Sequence, residues 1–312
     1  MVRGVIDRAG ELAALGTAGC WVVTAISFER AGKRIGSLSL NLIRLLMALV
    51  PLSLFGLFTR GHALPIDADP AAWAWLSLSA LIGLVIGDLC LFRAFVLIGP
   101  RLATLIMASV PVWTTAFGFV LLGETLGARE LLGVALTVGG IGWAIATRPH
   151  PSAEQAPAAD ASERGRGPGD IRSNGVLLAF AGALGQAGGL VASKHGMGDY
   201  DPFAATQIRV LAAVLGFAAL VTVSRWWPRV ITAVRDSKAM LPTAVGAIAG
   251  PFLGVGLSLL AVQLAPTGVA ASLMATTPIL MLPIARLRGE SIGVAGLLGA
   301  VLAVLGIALL LL

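Results

Sequence analysis

Charge is scarce in this chain. Lys, Arg, Asp and Glu make up 12% of its 312 residues, against roughly 25% in ordinary soluble domains. Aromatics are also few, at 6%, with a single tyrosine, Tyr200. There are two cysteines, Cys20 and Cys90, both inside apolar runs, so neither a disulfide framework nor a CxxC metal motif is available. No HExxH motif and no serine elbow is present. What fills the space is apolar: 57% of residues are hydrophobic and the mean hydropathy is +0.91. Long greasy runs recur along most of the chain, which is the composition of a multi-pass membrane protein. The net charge of +6 is scattered over loops, as membrane orientation requires, and does not point to nucleic acid. A secretory leader is disfavoured. Arg3 and Arg8 precede an apolar stretch and "TAGC", but that core is short and the segment has a second copy in mid-chain.

A membrane helix needs about 20 apolar residues. That criterion gives ten spans, at 11–28, 37–58, 72–96, 102–122, 129–147, 175–194, 203–224, 241–263, 267–286 and 292–312. Backbone groups in lipid must bond within their own segment, so the spans are helical. Residues 148–174, rich in Pro, Ala, Gly and charge, read as a disordered linker between residues 1–147 and residues 175–312.

The two halves repeat each other. "LNLIRLLMALV" (40–50) matches "ATQIRVLAAVL" (205–215), setting Arg44 over Arg209. "GPRLATLIMASVPVW" (99–113) matches "APTGVAASLMATTPIL" (265–280), and "LGETLGARELLGVALTVGGIG" (122–142) matches "RGESIGVAGLLGAVLAVLGIA" (288–308). Five spans per copy force opposite orientations. Inverted repeats mark secondary transporters, with the substrate near the midplane.

On these motifs, with Pro111 and Pro278 each followed by Gly-Glu at a span end and with "GDLCLFRAFVLIG" in the third span, the chain resembles the EamA family of the drug/metabolite transporter superfamily. The resemblance covers nearly everything outside the linker. It implies ten helices in two five-helix bundles, a central cavity, and movement of small metabolites such as amino acids. Lys194 matches a common family position that the first half lacks. The Gly-rich faces 133–142 and 293–306 read as close-packing surfaces, and the resemblance implies that they join the halves.

The charges inside the spans carry the functional reading. Asp88 and Arg93 are five apart, about 140° around a helix, so they do not face each other. Arg93 is placed to snorkel to the membrane edge. Asp88 is deeper and is expected to meet Arg44, which lies at a similar depth on the second span. Arg209 has no such acid in its own repeat, where Gly254 aligns with Asp88. With Lys194 it is expected to receive an anionic group of the substrate, a carboxylate being the simplest. The opposing reading is neutralisation by Asp199 and Asp201 in the neighbouring loop. Gln186 and Trp21 are expected to line the cavity, while Pro111 and Pro278 are expected to kink gating helices. Glu124 and Glu290 each favour the N-terminus of the helix that follows. Thr24, Asn41, Thr206, Gln207, Ser258, Thr276 and Thr277 read first as helix–helix hydrogen bonds.

The chain is therefore expected to be no enzyme, to need no cofactor or metal, and to act as a monomer in the bilayer. It would move a small carboxylate-bearing solute, by export, with protons coupling through Asp88. An exporter of cationic or hydrophobic compounds and a non-transporting scaffold are the alternatives; buried Arg44, Asp88 and Arg209 argue against the scaffold. "VIGD" and "YD" lack the GxGD pattern of intramembrane aspartyl proteases, and "GALGQAGG" has no strand before it, as a phosphate loop requires. The location expected is a bacterial inner membrane. The loops after odd-numbered spans hold most of the basic residues, which places both termini outside the cytoplasm; the family resemblance implies the reverse.

Overall fold

The computed structural model describes residues 8–147, 168–287 and 293–311. Glu290, Arg288, Arg3 and most of the 148–174 linker lie outside the described residues. Among the described residues there is helix and no strand, as lipid demands of an open chain.

The helices are α1 (Ala9–Ile35), α2 (Ser37–Arg60), α3 (Pro70–Ala80), α4 (Asp88–Met107), α5 (Val110–Leu122), α6 (Ala128–Ala146), α7 (Pro168–Met197), α8 (Pro202–Val223), α9 (Trp227–Val234), α10 (Ser237–Ala247), α11 (Val255–Leu264), α12 (Thr267–Met274), α13 (Thr277–Leu280), α14 (Leu282–Leu287) and α15 (Val294–Leu311). Two seven-residue π-helical segments, Leu81–Gly87 and Ile248–Gly254, join α3 to α4 and α10 to α11. Among the described residues, nine stretches are long and apolar enough to span a membrane, and Thr267–Leu280 is a shorter tenth. The ten-helix, two-repeat architecture read from the sequence stands.

Element starts follow local chemistry. Asp69–Pro70 and Asp201–Pro202 begin α3 and α8. Each Asp accepts from a backbone amide of its first turn, Ala71 N at 3.1 Å and Ala204 N at 2.7 Å. Each Pro sits where a missing N–H costs nothing. Asp201 is thereby engaged as a cap. Gly36 alone separates α1 from α2, at φ 77°, a conformation that side chains with a Cβ resist.

Three expectations change. The loop placed between 96 and 102 is helical, because α4 runs unbroken to Met107, and a helix satisfies its own backbone where an apolar loop would not. Residues 168–174, assigned to the linker, form the first turns of α7, which opens on Pro168. Pro111 and Pro278 do not kink continuous helices. Each occupies the first turn of a new one, after turns at 108–109 and 275–276, since that turn has no bond for a proline to break.

By contacts the chain forms two compact units. The first comprises Met1–Val85 and Gly189–Ala265, and the second Ile86–Gly188 and Pro266–Leu312. Each draws on both repeats. Inside the first, α1 packs on α10 and α11, and α2 packs on α8. It also holds a cluster of three half-buried rings, Phe55, Phe203 and Phe252, with centroids 4.6 to 6.0 Å apart. Inside the second, α6 and α15 make the most extensive helix pair. A Cβ on Gly140 would overlap the Gly299 carbonyl and the Ala303 backbone, and one on Gly299 would meet Gly140 and Ala144. The glycine faces thus meet backbone to backbone, the close packing their sequence predicts.

Candidate functional site

In the first unit, Arg44 and Arg209 are buried, at 7% and 4% exposure. Their helices are held in register by Gln207, whose amide donates to Ser53 Oγ and to the Ala63 carbonyl, both at 2.9 Å. With α2 and α8 antiparallel, that register sets Arg44 level with Gly216 and Arg209 level with Pro51, roughly 10 Å apart along the axis. Each arginine is the eighth residue of its helix, hence roughly 10 Å in from opposite ends. The inverted repeat is visible in this mirrored placement. Arg44 also lies 5.3 Å from the Phe28 ring centroid, a cation–π contact.

Lys194, also in this unit, donates to the Ala265 carbonyl at 2.9 Å. Ala265 is the C-terminal cap of α11, so the ammonium sits at the negative end of that helix. Trp21 is half-buried on α1.

In the second unit, Asp88 opens α4 directly after the π segment, at 9% exposure. The Gln186 amide donates to Asp88 Oδ1 at 2.8 Å. Gly182, one turn earlier on α7, permits this: its Cβ would lie 3.3 Å from the Gly87 carbonyl. The structure therefore brings two of the expected residues, Asp88 and Gln186, into one hydrogen bond. The two π segments also refine the repeat: they align Asp88 with Val255, one residue beyond Gly254. Such segments concentrate at functional sites, and nothing in the apolar pattern of 81–87 announces one. Arg93 is half-buried, little more than one turn along α4.

The N-terminus of α6 is closed by Glu130 on Gly127 N at 2.7 Å. Glu124 Oε2 accepts from Thr267 N at 2.8 Å and Thr267 Oγ1 at 2.7 Å, capping α12. The chain folds this way because Gly118 leaves room: a Cβ there would overlap both Thr267 Oγ1 and Glu124.

Most of the polar residues expected to bridge helices bond within their own. Thr24, Thr206, Ser258 and Thr276 donate to carbonyls three or four residues back, and Asn41 donates to Ser37 O. Ser193 on Ser79 Oγ, at 3.1 Å, crosses helices and was not anticipated.

The sequence also gave no warning of a cluster outside the spans. Arg60 Nη1 donates to Asp67 Oδ1 at 2.9 Å and to Tyr200 Oη at 2.9 Å, and Tyr200 Oη donates to Asp67 at 2.9 Å. Burial raises the Asp67 pKa, but hydrogen bonds from Tyr200 and a backbone amide, with the Arg60 charge, outweigh it and leave the carboxyl below its ordinary value. Burial, then the Asp67 hydrogen bond, pushes the Tyr200 phenol up to about 12. Beside it lies a cavity of about 320 Å³ lined by Asp69, Trp75, His195, Met197 and Tyr200. None of the expected substrate residues lines it.

The profile of the EamA-like transporter family matches residues 8–146 and again 173–312. Comparison with curated proteins gives no match. One solved structure, a crystal structure of a protein, is similar over 96% of this chain and 95% of its own, with a TM-score of 0.68 at 18% identity. At that identity the likeness speaks to the fold alone.

Proposed function

The chain belongs to the EamA-like transporter family, and we propose that within it this protein is a secondary exporter of a small carboxylate-bearing metabolite, an amino acid being the first class to test. It acts as a monomer in a bacterial inner membrane, by alternating access between its inverted repeats. The observation that carries the reading is the burial of two guanidiniums, Arg44 and Arg209, at mirrored depths on paired helices. Ionisable side chains inside spans mark solute and ion paths, and the planar guanidinium fork matches a carboxylate in two parallel hydrogen bonds.

Asp88 takes the proton. It is a buried acid deep in a span, and the Gln186 amide donates to its Oδ1. Gln186 positions the acid. Lys194 is a weaker candidate for the substrate, since its ammonium already serves the α11 carbonyl end. The basic loops face the cytoplasm and both termini lie outside.

The test is flux of labelled amino acids in proteoliposomes under an imposed proton gradient. Arg209→Gln is expected to weaken carboxylate uptake, and Asp88→Asn to abolish the response to the gradient while leaving exchange. Transport intact in Asp88→Asn and Arg44→Gln alike would remove the reading. Equal transport of cationic compounds would replace the substrate class. A reporter fused to either terminus reads the orientation.

A further inference from the structure

The segment between the two spans α8 and α10 is short, basic and aromatic: "SRWWPRVITAVRDSK" (224–238). Its helix, α9, packs on α1, α2 and α10 through Val230 and Ala233, which are buried. Trp227, Ile231 and Val234 share an adjoining arc of the same helix and are exposed. Arg229 and Thr232 occupy the opposite arc. An apolar arc left bare on a helix tied at both ends to membrane spans lies in the bilayer interface, polar side toward the headgroups. Two adjacent tryptophans fit that level, and Trp227 Nε1 is anchored to Thr222 Oγ1 at 3.0 Å.

The charge is one-sided. Arg225, Arg229, Arg235 and Lys238 fall within fourteen residues, and Asp236 is the only acidic residue between Asp201 and Glu290. Asp236 is committed elsewhere: Arg34 binds it through two nitrogens at 3.0 and 3.2 Å, and its oxygen caps α10. Arg229 is fixed over the Trp226 ring, 3.8 Å from the centroid.

Arg225 supplies a further, independent sign. It ends α8 in a left-handed turn at φ 53°, the one non-glycine residue with positive φ among the described residues. The bonds Trp226 N to Val221 O and Arg225 N to Thr222 O close a Schellman motif around it. Glycine is the residue that motif favours, and an arginine there is strained. Strain kept at one position points to a use for its side chain.

We propose that α9 and its flanking turns form a binding site for anionic phospholipid headgroups, with Arg225, Arg229, Arg235 and Lys238 as the cations that hold the phosphate. The exposed arc of α9 covers the first acyl carbons, and the arginines reach outward to the lipid phosphates. The site is separate from the transport path and does not depend on what the protein carries.

The full chain, purified in neutral detergent, is melted with increasing phosphatidylglycerol, phosphatidylcholine or inorganic phosphate. Phosphatidylglycerol is expected to raise the melting temperature, with the other two inert. Each cation removed, in Arg225→Gly, Arg229→Gln or Lys238→Gln, is expected to weaken the phosphatidylglycerol response about fivefold. Arg225→Gly is the decisive variant, because glycine suits the turn: its melting temperature without lipid is expected to equal or exceed that of the parent while its lipid response falls. Unchanged phosphatidylglycerol affinity in Arg225→Gly and Arg229→Gln would overturn the proposal. So would an equal shift with phosphatidylcholine, or one reproduced by inorganic phosphate, which would make the site one for soluble anions.

Discussion

Replacing Glu124 tests how far a single side chain holds α12 to the end of α5. The carboxylate accepts two hydrogen bonds from Thr267, through backbone and hydroxyl. Bonds to a charged acceptor contribute about 1.5–3 kcal/mol each, but Glu124 is only half-buried and water restores part of that on truncation. A capping group lost outright costs about 0.5–2 kcal/mol. Together these set Glu124→Ala at about 2–3 kcal/mol. Glu124→Gln keeps an acceptor oxygen and loses only the charge at the helix end, about 0.5–1 kcal/mol. The assay is thermal unfolding followed by tryptophan fluorescence, where a chain of this size moves about 2 °C per kcal/mol. The alanine variant is then expected about 4–6 °C below the parent, with the glutamine variant within about 2 °C. Gly118→Ala, which drives a methyl into the same carboxylate, is expected to resemble Glu124→Ala. A double-mutant cycle with Thr267→Val is expected to show a coupling of about 1 kcal/mol. Equal melting of the alanine and glutamine variants, both close to the parent, would refute the assignment of Glu124 as the cap of α12.

Three further outcomes follow from the packing and the outer cluster. Gly140→Leu is expected to cost more than about 3 kcal/mol and to abolish a monodisperse elution peak, whereas Gly139→Leu, where a Cβ meets nothing within 4 Å, is expected to elute normally. Tyr200 is the single tyrosine, so tyrosinate absorbance reports it alone: ionisation is expected near 12, and a midpoint near the ordinary value of about 10 would contradict the Asp67 contact. The lowered Asp67 pKa favours the folded state at neutral pH, and that stability is lost as pH falls through the folded-state value. Tyr200→Phe removes one donor and is expected to shift this acid loss to higher pH, read by melting across a pH series.

The architecture was legible because lipid leaves the backbone few options. Apolar length and the odd number of spans per repeat suffice to give ten helices in two inverted copies. The glycine faces of α6 and α15 were equally plain, since no other residue permits backbone contact. Asp88 and Gln186 each stand out singly as polar groups in greasy surroundings, but their union does not, because 98 positions separate them and the close approach of α4 and α7, at Gly175 and Gly182, is tertiary. The bond from Glu124 to α12 is hidden for the same reason: a capping signal reads forward along the chain, and this carboxylate reaches Thr267, 143 positions away. The π segments follow from tertiary fit, which hydropathy does not encode, while α4 continues through 96–102 because a helix satisfies its own backbone where an apolar loop would not. Arg225 carries no sequence signal of its conformation, because left-handed turns are anticipated at glycine.

The α6–α15 seam also has a consequence during synthesis at the ribosome. Gly140 and its partner Gly299 are separated by 159 positions. At about 5–20 residues per second, α6 waits roughly 8–30 s in the membrane before α15 emerges. For that interval a groove of bare backbone faces lipid or whatever helix is nearby. Since α15 closes the groove, a chain cut short before α15 would leave it open for good, and quality-control proteases would meet that chain through α6.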